Sequence, residues 1–351
     1  MLLENKLYSR QIDVALKGIG DSTGKLAGCS VLITGASGML GSCVTDMLLY
    51  MNERYGMNMQ VYLAGRNTAR IEKRFDGCRG KSYLHILSWD ATGEQGLNLS
   101  ADYIIHAASN ADPVMFADCP VDTFLANITG VKNLLDLALK ERAKRMLYIS
   151  SGEMYGQPDG TADAGFSEDY SGYLDYKDPR SCYPSGKRAG EMLCQGYIRQ
   201  HEVDVVIVRP CHCYGPTMTD RDSRALSQFF RKARNKEDIL LKSSGKTVRS
   251  HCYVVDAAAG ILRVLLEGKC GEAYNIADPD SVASIREAAE LIAGEAGRKV
   301  CFEIPDETER QGYSKVSRSV LDSRKIFALG WRPQTDLRMG VCETLKIMQD
   351  I

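Results

Sequence analysis

The 351-residue chain lacks a surplus of either charge: 44 Lys and Arg stand against 45 Asp and Glu, for a formal net charge of −1. It also has no block of like charge, so an extended nucleic-acid or membrane-surface partner is not expected and a small molecule is. No apolar run is long enough to cross a bilayer. The opening stretch, Met1 to Asp13, places Glu4, Lys6 and Arg10 where a secretory signal needs an unbroken apolar segment, so a cytoplasmic protein without a membrane partner is expected. The 12 cysteines include no CxxC pair, which fits reduced, mostly buried thiols rather than a disulfide framework. Cys211-His212-Cys213 brings ligand-type residues together, but adjacent strand positions face opposite ways and no second ligand pair stands elsewhere, so no metal is expected. Internal repeats and low-complexity tracts are also missing, which excludes a repeat array.

What is present is an alternation of short apolar runs with longer helical stretches. The runs are Ser30 to Thr34, Gln60 to Ala64, Tyr83 to Leu87, Tyr103 to His106, Met146 to Ser150 and Val203 to Val208. That rhythm predicts an α/β fold, a Rossmann-type doubly wound parallel sheet with helices on both faces. Three regions are expected: an N-terminal arm over 1–27, a dinucleotide-binding domain over 28–210, and a smaller α/β substrate-binding lobe over 211–351. Leu7, Ile12, Val14, Ala15 and Leu16 suggest an amphipathic helix in the arm. In the second lobe, Ala273 to Ala277 and a helix over Ser284 to Ala296 stand out.

The first run leads straight into Gly35-Ala-Ser-Gly38-Met-Leu-Gly41 and then an apolar helix. Strand, glycine loop and helix in that order point to a dinucleotide site. Gly35 takes the turn, Gly38 lets backbone N–H groups approach a diphosphate, and Gly41 permits close helix–sheet packing. The acidic residue expected to grip a ribose at the end of the second strand is missing from Leu63-Ala64-Gly65-Arg66-Asn67. Arg66 either pairs with a 2′-phosphate, which makes NADP possible, or stacks on adenine while NAD binds. Asp90, just past the third strand, is a candidate acceptor for the adenine amino group.

Tyr183 and Lys187 stand at i and i+4 on a predicted helix, so their side chains share a face. A neighbouring ammonium and a cationic nicotinamide ring both favour phenolate, which would make Tyr183 a base near neutrality, with Lys187 also holding the nicotinamide ribose. Ser150 and Ser151 both close the fifth strand at the ligand-collecting edge of a parallel sheet, and alternation aims one of them at the site.

With these residues in view, positions 29 to about 330 resemble the extended short-chain dehydrogenase/reductase family, in particular its nucleotide-sugar epimerases, dehydratases and decarboxylases. The matching segments are Gly35 to Gly41, Ile105 to Ala108, Asn127 to Gly130, Ser151 to Gly156, Tyr183 to Lys187, Arg209 to Pro216, Arg249 and Tyr274-Asn275. The resemblance implies a homodimer, a nucleotide-sugar substrate and a bound NAD. The cofactor is contacted by Gly35, Ser37, Gly38, Met39, Leu40, Gly41, Arg66, Asp90, Ala107, Ala108, Asn127 and Lys187. It selects Ser151 over Ser150, adds Glu153 to Tyr183, Lys187 and Ser151 as catalytic residues, and places Ser109, Ser151, Tyr183, His212, Arg224 and Arg249 on the substrate. Glu153 and Arg249 together resemble UDP-glucuronate decarboxylases most closely. Gly152 stands where those enzymes carry serine, and His212 where they carry asparagine. Gly152 cannot donate a proton, unlike the acidic pair of the hexose 4,6-dehydratases.

Overall fold

The computed structural model describes residues 2–160, 165–303 and 316–350. Its centre is a seven-stranded parallel sheet in the order β3-β2-β1-β4-β5-β6-β10, built from β1 (Ser30–Thr34), β2 (Gln60–Gly65), β3 (Leu84–Ser88), β4 (Tyr103–His106), β5 (Arg145–Ile149), β6 (Val205–Pro210) and β10 (Ala273–Ile276). β-Branched and aliphatic residues dominate these runs because both sheet faces are covered. Alternation divides the side chains between two cores. Val31, Ile33, Ile105, Leu147 and Val206 join one with α2 (Met39–Tyr55) and α9 (Val254–Glu267). Leu32, Ile104, Met146, Tyr148 and Ile207 join the other with α6 (Thr129–Glu141).

The strand order reverses between β1 and β4, which opens a crevice beyond their carboxyl ends. The chain reaches it from several directions. α4 (Pro113–Asp118) and α5 (Pro120–Ala126) follow β4, and α7 (Cys182–His201) follows β5. The stretch over 112–140 holds three helices: Pro113 and Pro120 each start one, as a residue without an N–H does at a first turn, and a third begins at Thr129.

Two expectations are corrected here. Residues 273–276, assigned from sequence to the second lobe, form the seventh strand of the main sheet, in register with 207–210 of β6, and α9 packs under it. The amphipathic helix expected in the N-terminal arm is present and packs on the body of the fold, but one residue of its expected apolar face is misplaced. Asn5 caps α1 (Lys6–Ile19) by accepting from the N–H groups of Leu7 and Tyr8, and α1 lies on α2 and α9. Its buried stripe is Tyr8, Ile12, Ala15, Leu16 and Ile19, whereas Val14, placed on the apolar face from sequence, is 46% exposed.

A second group of elements comprises β7 (His212–Tyr214), α8 (Ala225–Arg234), β8 (Ile239–Leu241), β9 (Val248–Tyr253), β11 (Val282–Ser284), α10 (Ile285–Glu295), β12 (Val300–Phe302) and β13 (Arg318–Ser319), and it brings His212, Arg249 and Ser319 to the crevice. β7, β11 and β13 all pair with β9. The helix foreseen over 284–296 is α10, begun by a reciprocal Ser284/Glu287 capping box. Among the described residues no helix is long and apolar enough to cross a membrane.

Candidate active site

The glycine loop is shaped by contacts that no side chain could accept. Gly35 has φ +69°, and a Cβ there would come within 2.6 Å of the Ala107 carbonyl carbon at the end of β4. At Gly41 a Cβ would lie 2.4 Å from the Gly35 carbonyl oxygen, so α2 presses directly onto the turn. Gly38 is the N-cap of α2 and makes no side-chain cap bond, and the first turn of the helix carries no acidic residue. The positive end of α2 therefore meets the crevice without a carboxylate to neutralise it, which fits a dinucleotide diphosphate. Ser37 and Leu40 are half-buried beside it, and Met39 is buried. The Met39 carbonyl accepts from Thr217 at 3.0 Å, and its sulfur lies 3.8 Å from the Arg224 guanidinium, so the loop is tied to the opposite wall.

The other sequence-derived cofactor residues differ in how they are held. Ala107 and Ala108 follow β4 and are half-buried. Asn127 is fully buried: it donates to the Thr123 carbonyl at 2.8 Å, and its Oδ1 accepts from Ser109 at 3.1 Å. Arg66 is exposed and reaches Asn110 at 3.4 Å. Asp90 is exposed too, with its carboxylate accepting from the Thr92 N–H and hydroxyl, each at 2.9 Å, so it is occupied by its own turn.

Tyr183 and Lys187 lie in the first two turns of α7, both buried, with the Lys187 Nζ 5.6 Å from the Tyr183 ring centroid. β5 ends at Ile149. Ser151, in extended conformation, caps the short 3₁₀ turn Gly152–Tyr155 by accepting from the Glu153 N–H at 3.1 Å. This puts Ser151, Glu153, Tyr183, His212 and Arg224 on one pocket wall with Phe116, while Ser150 is buried behind it. An adjoining pocket shares Glu153, His212 and Phe116 and adds Arg180 and Arg249.

The electrostatics correct one expectation. Burial pushes the Tyr183 phenol up, Glu153 adds to the shift, and the Ser151 hydrogen bond and Arg224 only partly oppose it. Lys187 does not draw it down: its ammonium donates to the Ile149 carbonyl at 2.7 Å, and burial lowers its own pKa to about 7. The protein's own groups therefore do not make Tyr183 a phenolate near neutrality. Glu153 is an exposed side chain that lines the cleft, where the neighbouring protein removes part of its hydration. Its carboxyl is raised, against the pull of Arg249, Arg180 and Arg224. Burial and the neighbouring Arg249 hold His212 well below its usual value, hence neutral.

The arginines are held in place. Arg224 makes a two-pronged pair with Asp222 through Nε and Nη2. Arg249 is buried, donates to the Val248 and Val316 carbonyls at 2.9 and 2.7 Å, and has its pKa pulled down to about 10 by burial. Among the described residues no His, Cys, Asp or Glu group gathers as a metal site.

Two wall residues were not singled out from sequence. Phe116 stacks on the Tyr183 ring at 4.6 Å and 15°, and Arg180 precedes Tyr183 by three positions. Arg180 carried a signal in its closeness to Tyr183, whereas Phe116 is 67 positions away from Tyr183 and carried none.

The profile of the NAD dependent epimerase/dehydratase family matches residues 31–277. UDP-glucuronic acid decarboxylase 6 of Arabidopsis thaliana is 32% identical over 314 residues, covering 89% of this chain and 86% of the relative. UDP-glucuronic acid decarboxylase 1 of Xenopus tropicalis is 29% identical, covering 90% of this chain and 71% of the relative. In fold, the chain is similar to the epimerase Mth375 of Methanothermobacter thermautotrophicus, with TM-score 0.79, 20% identity and 95% of each chain covered.

Proposed function

Because the chain belongs to the NAD dependent epimerase/dehydratase family, whose members are enzymes, we propose that it decarboxylates UDP-glucuronate through a transient 4-keto sugar. NAD, when bound, would supply a hydride acceptor and a cationic ring. Gly35, Gly38 and Gly41 would leave room for its diphosphate, and Asn127 and Lys187 would help to hold it.

Tyr183 takes the proton of the C4 hydroxyl while Ser151 hydrogen-bonds the same oxygen. A ketone at C4 lies β to the C6 carboxylate, so the C5–C6 electron pair can move into the carbonyl as CO₂ leaves. A proton then returns to C5 and Tyr183 gives its proton back as C4 is reduced, leaving no net redox change. The observation that carries this reading is Glu153 in one wall with Arg249, Arg180 and His212. A carboxyl raised above its ordinary value is ionised less readily and so repels the substrate's carboxylate less, while two arginines and a neutral imidazole receive the anionic substrate. Gly152, with no proton to donate, disfavours dehydration.

The test is mass spectrometry of products after incubation with UDP-, dTDP-, GDP- and CDP-sugars. A product lighter by CO₂ from UDP-glucuronate is expected. Only isobaric or dehydrated products would overturn this reaction while leaving the family intact. The enzyme is also proposed to act as a cytoplasmic homodimer. Val121, Phe124 and Leu125 on α5 and Met192 on α7 are exposed, on two helices that pack together, and all twelve cysteines are unpaired. Light scattering of a clean monomer at micromolar concentration would refute the dimer.

A further inference from the structure

Lys187 is 3% exposed, and its ammonium needs compensation from nearby. The charged and titratable groups around it supply little. Glu191 on α7 favours the charge, but that carboxylate is already gripped by Arg209 through Nε at 2.9 Å and Nη2 at 2.6 Å. Cys194 and Tyr183 on α7 are neutral, their ionisation pushed up by burial. His106 on β4 is also neutral, held down to about 3 by burial and by Lys187 itself.

What remains is β5. The Ile149 carbonyl accepts from Nζ at 2.7 Å, and the Tyr148 ring lies under the same nitrogen, 4.8 Å from its centroid. That ring is itself fixed. It stacks on His106 at 5.7 Å and 22°, and its hydroxyl donates to the Asn127 Oδ1 at 3.4 Å. The hydroxyl occupies space that only glycine leaves open: a Cβ at Gly190 would lie 2.5 Å from it. Tyr148 and Gly190 are thus complementary pieces of one arrangement.

We propose that Tyr148 is a positioning residue, its ring face holding the Lys187 ammonium charged and in place by a cation–π contact. Lys187 owes its interest to the hydride-transfer reading, but the contact is independent of which sugar reacts. Removing the ring must lower the Lys187 pKa, because a contact that favours the ammonium is lost while the burial that opposes it stays.

The experiment is a pH titration of the full chain carrying ¹³Cε-labelled lysine, with the Lys187 resonance assigned by its loss in Lys187→Met. The wild type is expected to titrate at about 7, Tyr148→Phe within about 0.3 unit of it, and Tyr148→Leu about one unit lower. If Tyr148→Leu folds poorly, pentafluorophenylalanine at position 148 keeps the ring shape, reverses the sign of its face, and is expected to lower the midpoint similarly. A midpoint unchanged in either variant overturns the proposal. The titration needs neither sugar nor turnover, so its failure would leave the decarboxylase reading standing, and the reverse.

Discussion

The two walls of the cleft are made of different materials. On the cofactor side, three glycines, a helix end and the ends of β1 and β4 do the shaping, and the decisive contacts are backbone approaches of 2.4 and 2.6 Å to imagined Cβ atoms. On the other side the surface is charged side chains, Glu153, Arg180, Arg224 and Arg249, brought from four separate stretches of the chain. Behind them lies a third arrangement with similar chemistry but no access to the cleft. Arg209 pairs with Glu191 and also donates to the Tyr155 hydroxyl at 2.9 Å, which donates to Asn275 at 2.7 Å. The difference teaches that arginine and glutamate side chains are used here in two ways. Where every hydrogen bond is closed within the protein, the pair fixes β6, α7 and the 3₁₀ turn relative to one another. Where the groups line a pocket, the same chemistry is set beside the space a ligand would enter.

Tyr183→Phe would test the reacting edge between the walls and should have the largest effect: kcat down by about 10²- to 10⁴-fold, with NAD affinity by calorimetry changed less than about twofold. Arg209→Met and Arg249→Met separate the two uses. The first leaves Glu191 buried and uncompensated and should cost about 3–5 kcal/mol in denaturant unfolding. The second removes hydrogen bonds to the Val248 and Val316 carbonyls and should cost less stability than the first, yet lower kcat/KM at least about tenfold, roughly the loss of one charge-assisted contact. If both act mainly on stability, the distinction between the walls fails.

Gly41→Ala puts a methyl into the Gly35 carbonyl and should cost about 1–3 kcal/mol of stability together with NAD affinity. Asp256 gives a pH signature away from both walls. Burial raises its carboxyl to about 7 despite the Thr335 N–H at 2.9 Å, so the folded state keeps a proton that the unfolded chain gives up. Stability should therefore fall as pH rises from about 4 to about 7, and Asp256→Asn should flatten that decline in thermal unfolding. Smallest of all, Arg66→Ala should change NAD affinity less than about threefold, since the side chain is exposed and reaches only Asn110.

How far these walls were legible in the sequence follows from their materials. The parallel strands announce themselves because burial on both faces demands unbroken aliphatic runs, and β1 and β4 fall on the expected residues. The glycine spacing is equally open, since close backbone approach leaves no substitute. β10 was misplaced because four residues at the end of a long crossover carry no periodicity that distinguishes sheet edge from lobe. The substrate wall was reached only through resemblance. Nothing local to Glu153, His212 or Arg249 says that they meet. Phe116 and Tyr148 stayed hidden because an aromatic on a strand or short helix reads as core, and only the fold sets one against Tyr183 and the other under Lys187. The phenol's pKa could not be foreseen either, since spacing placed Lys187 near Tyr183 but could not show its ammonium committed to Ile149.

The central claim is that a hydride leaves C4 of a nucleotide sugar and returns to it within one active site. UDP-glucuronate deuterated at C4, given to the NAD-loaded enzyme, tests it most directly. The account predicts a decarboxylated product retaining deuterium at C4, with no NADH accumulating in solution. Loss of the deuterium to solvent, or NADH released in step with product, would contradict it.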